Sequence, residues 1–196
     1  RSLEHLGLKS SDVVQVRAFI TPFSDHAAAT REISAGFDGK PPSIVLLEWV
    51  SDLHAEIEIV VSARTLGAGP VGPISHTWLP WLTVSPRYCH VAHVSAGTPL
   101  IFISGIDGGE AGDARMQMKA IFPRLGSALF DAGSSYRHLA KATYYLDGDA
   151  SRAVLNDSRG VYYDPQRPPA ASALEVKQVG LPGRTATIDI IAVPSN

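Results

Sequence analysis

The chain has 196 residues, of which 45% are hydrophobic and 18% are charged, a composition typical of a globular protein with a packed core. Its 17 lysines and arginines face 19 aspartates and glutamates and form no long basic run, so nucleic acid is not an expected partner. No apolar stretch reaches the roughly 18 to 20 residues that cross a membrane, and a single cysteine cannot form an internal disulfide. We therefore expect a soluble, cytoplasmic protein without membrane attachment.

The first part of the chain has the element order α, β, α, β, β. Leu3, Leu6 and Leu8 indicate the last turns of an amphipathic helix that ends at Gly7. Alternating polar and β-branched residues predict a strand over 13–20. The other predicted elements are a helix capped by Ser24 and Asp25 that runs to Phe37, and two strands over 43–50 and 55–63.

A region without apolar periodicity separates the two parts of the chain. Residues 64–75 are rich in glycine and proline, which favours a linker. We divide the chain into a first unit over residues 1–63, a linker over 64–84 and a second unit over 85–196.

The second unit has the predicted order β, β, α, β, α, β, β. Residues 88–96 and 99–106 are predicted to form a hairpin, and residues 114–133 a helix that Pro123 should kink. The remaining predictions are a strand over 141–148, a helix over 151–164, and two strands between Ala171 and Val193 that flank a turn at 181–183.

The two units share sequence patterns in the same order. Residues 5–20 match 131–146, residues 41–49 match 168–176, and residues 56–61 match the strand that starts at Thr187. This repetition predicts a tandem duplication in which the first copy lacks the counterpart of residues 88–128. The missing part would leave an unpaired sheet edge, so we expect it to be supplied by residues before Arg1 or by another chain.

The motifs of the second unit resemble those of the RidA family, also called YjgF-type or L-PSP proteins. These motifs are SPRYCH, FISG, the helix from Asn156 to Tyr163 and PPAASALEV. The resemblance implies an α+β fold with two chorismate-mutase-like units, each a mixed sheet with two helices packed on one face. It also implies self-association as a homo-oligomer, a trimer or pseudo-trimer, with small-molecule clefts between neighbouring subunits.

The resemblance implies a specific chemistry and also an important departure from it. Members of this family usually hydrolyse 2-imino acids to 2-keto acids and ammonia, with an arginine that holds the carboxylate and a glutamate that positions water. The arginine position is Ala171 here and Ile44 in the first unit, and the glutamate position is Thr187 here and Glu56 in the first unit. Loss of a charge-assisted bidentate pair removes roughly 2 to 5 kcal/mol. A diverged protein that binds a small metabolite is therefore expected.

The same resemblance assigns the ligand-binding positions. They are Tyr88, Ser104, Gly105, Asn156, Ala171, Ser172 and Thr187. If catalysis persists, its candidate residues are Tyr88, Glu56 and Arg167. The alternative is an imine or enamine deaminase, or a chorismatase-like hydrolase, that uses a replacement cation such as Arg167 or Arg184. In a third hypothesis, one or both units have only a structural role.

Several reactive residue types have simpler interpretations. His90 and His93 lie three apart on a predicted strand, so their side chains face opposite ways and cannot share a metal. Cys89 is interpreted as a small buried thiol. Residues 107–109 lack the strand-to-helix context of a phosphate-binding loop and predict a turn. No metal or cofactor is expected.

Overall fold

The computed structural model describes residues 1–20, 26–38, 40–49, 55–61, 72–109, 112–176, 179 and 183–195. The chain folds into two compact units, Arg1–Leu66 and Gly67–Asn196. The first contains α1 (Ser2–His5), β1 (Val13–Ile20), α2 (His26–Ala35), β2 (Ser43–Glu48) and β3 (Ala55–Val61). The second contains β4 (Ile74–Thr77), β5 (Val91–Val94), β6 (Ile101–Asp107), α3 (Ala114–Asp131), β7 (Leu139–Leu146), α4 (Asp149–Tyr162), β8 (Ala170–Glu175) and β9 (Ala186–Ala192).

The first unit is built on a three-stranded sheet in the order β2-β1-β3. β1 pairs with β2 in parallel and with β3 in antiparallel orientation. Strand β1 spans the predicted residues 13–20, and Gly7 adopts the left-handed conformation, with φ of 68°, after the short first helix. The predicted cap residues Ser24 and Asp25 lie outside the described residues.

The second unit is built on a four-stranded sheet in the order β6-β9-β7-β8. β7 pairs with β8 in parallel, whereas β9 is antiparallel to both β7 and β6. The predicted hairpin between residues 88–96 and 99–106 is wrong. β5 pairs with β4, and β6 pairs with β9, so neither strand pairs with its neighbour in sequence across residues 95–100. The region predicted as a linker, 64–84, therefore contains a strand.

Both helices α3 and α4 contribute to the core on one face of the four-stranded sheet. Alternation along β9 places every second side chain in this core, as a strand with one covered face requires. The fully buried side chains include Met118, Ile121, Phe122, Leu125, Leu129, Tyr144, Leu155 and Ile188. Helix α3 continues through Pro123, and the Tyr136 hydroxyl donates to the Phe122 carbonyl beside it.

A close contact joins the end of β6 to helix α3. A Cβ added to Gly108 would lie 2.5 Å from the Gln117 backbone, so only glycine fits here. The buried Gln117 side chain accepts from Thr185 N at 2.9 Å and donates to the Gly183 carbonyl at 2.8 Å. A turn is predicted over residues 107–109, where Asp107 is the last residue of β6 and its Oδ1 accepts from Gly109 N at 2.7 Å.

Candidate functional site

A surface cavity of about 360 Å³ lies between helix α4 and the loop that precedes β5. We call it the α4 cavity, and its lining residues are Pro86, Arg87, Asn156, Asp157, Gly160, Tyr163 and Pro165. Its volume is at the lower end of the roughly 300 to 1,000 Å³ of small-molecule sites. The predicted ligand residue Asn156 is therefore on a cavity wall, together with one guanidinium and one carboxylate group.

The loop that carries Arg87 is held by hydrogen bonds to buried or half-buried groups. The Trp78 indole Nε1 donates to the carbonyls of Ser85 and Tyr88, at 3.1 and 3.0 Å. Cys89 N donates to the Pro169 carbonyl at 3.1 Å, which ties the loop to the start of β8. Arg87 therefore extends from a fixed backbone.

Tyr88 does not line the α4 cavity, although the sequence predicts it as a ligand residue. Its ring packs edge-on against His90, with ring centroids 6.0 Å apart. His90 Nδ1 accepts from Leu79 N at 2.9 Å, so its Nε2 carries the proton and donates to the Thr83 carbonyl at 3.2 Å. His90 thus fixes the loop over 79–83.

Below Asn156 lies a buried polar network that fixes the orientation of its amide. The Arg159 side chain, 7% exposed, donates from Nη2 to Asn156 Oδ1, and its guanidinium stands 5.1 Å from the centre of the Tyr144 ring. The Tyr144 and Tyr163 hydroxyls are 2.7 Å apart. Burial raises the pKa of Tyr144 to about 12 and that of Tyr163 well above its usual value, so both phenols are neutral at physiological pH.

The predicted residues Ser104, Gly105 and Thr187 lie on β6 and β9 beside two acids. We call this group the β6–β9 patch (Ser104, Gly105, Asp107, Thr187 and Asp189). Asp189 Oδ1 accepts from Ser104 Oγ and from Gly105 N, each at 2.9 Å. The Thr187 hydroxyl donates to the Ile106 carbonyl at 3.4 Å. Asp107 is the direct cross-strand neighbour of Thr187, so a carboxylate lies one strand away from the expected glutamate position.

Ala171 and Ser172 face opposite sides of β8. Ala171 pairs with Ala142 and packs against the hydrophobic core under the helices. Ser172 is buried, and its hydroxyl accepts from Lys141 Nζ at 3.0 Å. Neither residue therefore presents a charged group to a ligand.

The two candidate replacement arginines are not at the α4 cavity. Arg167 N donates to the Asp164 carbonyl at 2.9 Å, and the Arg167 charge is one of the secondary causes that lower the pKa of His76, after burial. Arg184 lies at the β6–β9 patch, with Nε 3.4 Å from Asp107 Oδ1. The Glu56 side chain lies outside the described part of the structure.

Cys89 is buried, as the sequence predicts, with 2% exposure. Burial is the main cause that raises the pKa of its thiol to about 12. The thiolate is therefore scarce at neutral pH, and Cys89 does not qualify as a nucleophile.

The predicted ligand residues therefore form two groups that one chain does not bring together. Asn156 lies at the α4 cavity, near the edge strand β8. Ser104, Gly105 and Thr187 lie on β6 and β9. β6 and β8 are separated by three strand spacings, about 14 Å at about 4.8 Å each.

Sequence reasoning missed Arg87 and Arg159. Arg87 lies inside the SPRYCH motif, directly before Tyr88, which is the ligand residue that the motif predicts. For Arg159 a signal existed, because Ser151, Leu155 and Arg159 recur every four residues and are all buried on one side of α4.

The mixed sheet with two helices on one face defines the second unit as a YjgF-like α+β fold. The conserved Rid-family protein YyfB from Yersinia pestis has this fold, with a TM-score of 0.56 and 20% identity over 62% of this chain and 99% of that one. NMB1025, a YjgF-family member from Neisseria meningitidis, is 24% identical with a TM-score of 0.47, over 63% of this chain and 96% of that one.

Sequence comparison leads to the same family. The model described as Endoribonuclease L-PSP matches residues 83–194, more than half of the chain. A RutC family protein, slr0709 of Synechocystis sp., is 31% identical over 68 residues, which are 35% of this chain and about half (52%) of that relative. The chain belongs to the RidA, YjgF or L-PSP family through a domain over residues 83–194. No described helix is long and apolar enough to span a membrane.

Proposed function

We propose that this chain is a diverged member of its family that binds a small metabolite without hydrolysing it. The observation that carries this proposal is the environment of Ala171, the position that matches the carboxylate-binding arginine. The Ala171 methyl group packs against the core and carries no charge. The hydroxyl of the neighbouring Ser172 accepts a hydrogen bond from Lys141. A ligand must therefore be held by other residues, and the α4 cavity offers them.

The water-positioning group is also replaced. Thr187 carries a neutral hydroxyl that donates to a backbone carbonyl, whereas the family pattern has a carboxylate at this position. A general base must accept a proton from the attacking water, which a neutral hydroxyl does poorly. This arrangement favours binding over turnover.

The separation of the two residue groups supports a site between subunits. The loop at the α4 cavity is bridged to β8 at one edge of the sheet, and β6 forms the other edge. Self-association as a trimer or pseudo-trimer would let one subunit's cavity face another's patch. Exposed apolar side chains on β6 and just before it, Phe102 and Leu100, are consistent with a surface that another subunit covers.

A tandem duplication is part of the same proposal. Support comes from paired features of the two units. Gly7 and Gly133 are both left-handed and each lies six residues before a strand, and both β1 and β7 have a register shift after their first residue. In this alignment, Ile57 corresponds to Ile188 because each faces the sixth residue of the central strand.

Imine or enamine hydrolysis, or a chorismatase-like hydrolysis, is the second candidate function. Two observations favour it: a guanidinium, that of Arg87, lines the α4 cavity, and the Asp107 carboxylate lies beside Thr187. Contributed by two neighbouring subunits, the two groups would replace the missing arginine and glutamate. Ammonia or keto-acid release from a 2-imino acid distinguishes this function from simple binding.

A ligand screen with a blocked cavity tests the binding proposal. A Cβ at Gly160 meets no atom within 4 Å, so Gly160→Leu should fill the α4 cavity without disturbing the helix. Ala153→Leu, on an exposed position of the same helix, is the matched control. Ligand-observed NMR with a metabolite library should find a molecule whose signal is lost with Gly160→Leu and retained with Ala153→Leu. Binding that survives in both variants, or no binder at all, would contradict the proposal.

A further inference from the structure

The α4 cavity presents opposite charges to the same space. Arg87 and Asp157 both line it, and within the described residues neither takes part in an ion pair. Because both side chains are exposed, water solvates them in the absence of a ligand. Two unpaired opposite charges on the wall of one small cavity match a ligand that itself carries both charges.

Asn156 adds a donor to the same wall. Arginine has no acceptor atom, so the atom of the Asn156 amide that faces Arg159 is Oδ1. The amide NH₂ group of Asn156 therefore does not bond to Arg159, and no described residue accepts a hydrogen bond from it. An oxygen-rich anionic group in the cavity would receive hydrogen bonds from this NH₂ group and from the Arg87 guanidinium.

The rest of the lining is small or apolar. Pro86, Pro165 and the ring of Tyr163 contribute carbon surface, and the Tyr163 hydroxyl is already engaged with Tyr144. Gly160 leaves open space where any other residue would place a side chain. This combination suits a short aliphatic side chain attached to a compact charged head.

We propose that the α4 cavity binds a small α-amino acid as a zwitterion. Its carboxylate binds Arg87 and the Asn156 amide, and its ammonium group binds Asp157. This inference rests on the proposed function, since it names the chemical class of the bound metabolite. In the family pattern, an arginine at position 171 would hold a carboxylate alone. Here Arg87 would act together with Asp157, so recognition requires the amino group of the ligand as well as its carboxylate.

Alanine and two analogues, each of which lacks one of its charged groups, test this assignment. Alanine carries both charges, pyruvate lacks the ammonium group, and alaninamide lacks the carboxylate. NMR chemical-shift titration of the whole chain should give the strongest binding for alanine, by about tenfold over each analogue, as expected for one charge-assisted hydrogen-bonded group. Shifts should centre on the Asn156 side-chain amide.

Two variants assign each charge to its residue. Arg87→Gln should strongly reduce the preference for alanine over alaninamide, to what the Asn156 amide alone provides, and leave the preference over pyruvate intact. Asp157→Asn should do the reverse. Arg115→Gln, at an exposed arginine on α3, is the control and should change neither preference.

The inference is overturned if pyruvate or alaninamide binds as tightly as alanine, if alanine does not bind, or if the two variants leave both preferences unchanged. None of these results would affect the broader binding proposal, which depends on the library screen with Gly160→Leu. A library binder without an amino-acid head would therefore refute the zwitterion assignment alone.

Discussion

Strands β3 and β9 contain isoleucines at matching register positions, yet the surroundings of these side chains differ completely. Ile57 lies opposite Ala18, the sixth residue of β1, and Ile188 lies opposite Tyr144, the sixth residue of β7. Ile57 is 56% exposed, whereas Ile188 is fully buried. In the second unit, β6 and helix α3 pack on β9. Two strands with matching registers can therefore differ in burial, because burial depends on which other elements of the chain cover them.

The largest expected effect comes from truncating these two isoleucines. Ile188→Ala should lower the free energy of unfolding by about 2 to 5 kcal/mol, because it leaves a cavity in a closed core. Ile57→Ala should lower it by less than about 0.5 kcal/mol, as at most exposed positions. Urea unfolding followed by circular dichroism measures both. Equal losses would show that β3 is as well covered as β9.

The acids next to these isoleucines provide a smaller contrast. Asp189 accepts two hydrogen bonds from β6, whereas Glu58 at the matching position forms a 3.6 Å ion pair with the partly exposed Arg17. Asp189→Ala should cost about 1 to 2 kcal/mol, because two donors lose their acceptor. Glu58→Ala should cost about 0 to 1 kcal/mol, because the Arg17 side chain is 38% exposed and water can solvate it after the change. The same urea titrations compare them, and a larger loss for Glu58→Ala would refute this ranking.

The smallest effect is a pH dependence that belongs to the second unit. Burial lowers the pKa of His76, whose neutral ring donates from Nε2 to the Leu139 carbonyl at 3.0 Å. The unfolded chain then binds more protons than the folded chain between this lowered pKa and the ordinary value of about 6.5. Stability is therefore complete above about pH 6.5 and decreases as the pH falls below it.

The variant His76→Gln keeps a hydrogen-bond donor but cannot be protonated. Thermal unfolding between neutral and mildly acidic pH should show a weaker acid dependence for this variant than for the unaltered chain. An equivalent substitution of the exposed His5 in the first unit is the control and should leave the dependence unchanged. Identical pH profiles for all three proteins would contradict the assignment to His76.

Much of the fold could be predicted from the sequence where local pattern and tertiary structure agree. The alternation in residues 13–20 predicted β1 to the residue, and the apolar spacing from Met118 to Leu129 predicted α3. The pairing of β5 could not be predicted, because its partner β4 is a four-residue strand next to a segment rich in glycine and proline. Strand partners are chosen by long-range packing, which leaves little trace in such a short element.

The candidate site was only partly predictable for a similar reason. Asn156 was identified from a motif, and the structure places it on a cavity wall. Tyr88 was identified in the same way, but Trp78 holds its backbone and its ring packs on His90. The proposed role of Arg87 depends on its distance from helix α4, about 70 residues later in the chain, which no local pattern encodes.

The most direct test of the central claim is an assay with freshly generated 2-iminopropanoate. The purified chain in its native oligomeric state is added, and pyruvate and ammonia are followed over the spontaneous background. With Ala171 packed against the core and Thr187 in place of a carboxylate, we predict no acceleration. Acceleration that disappears in Gly160→Leu would contradict this account and assign the hydrolysis to the α4 cavity.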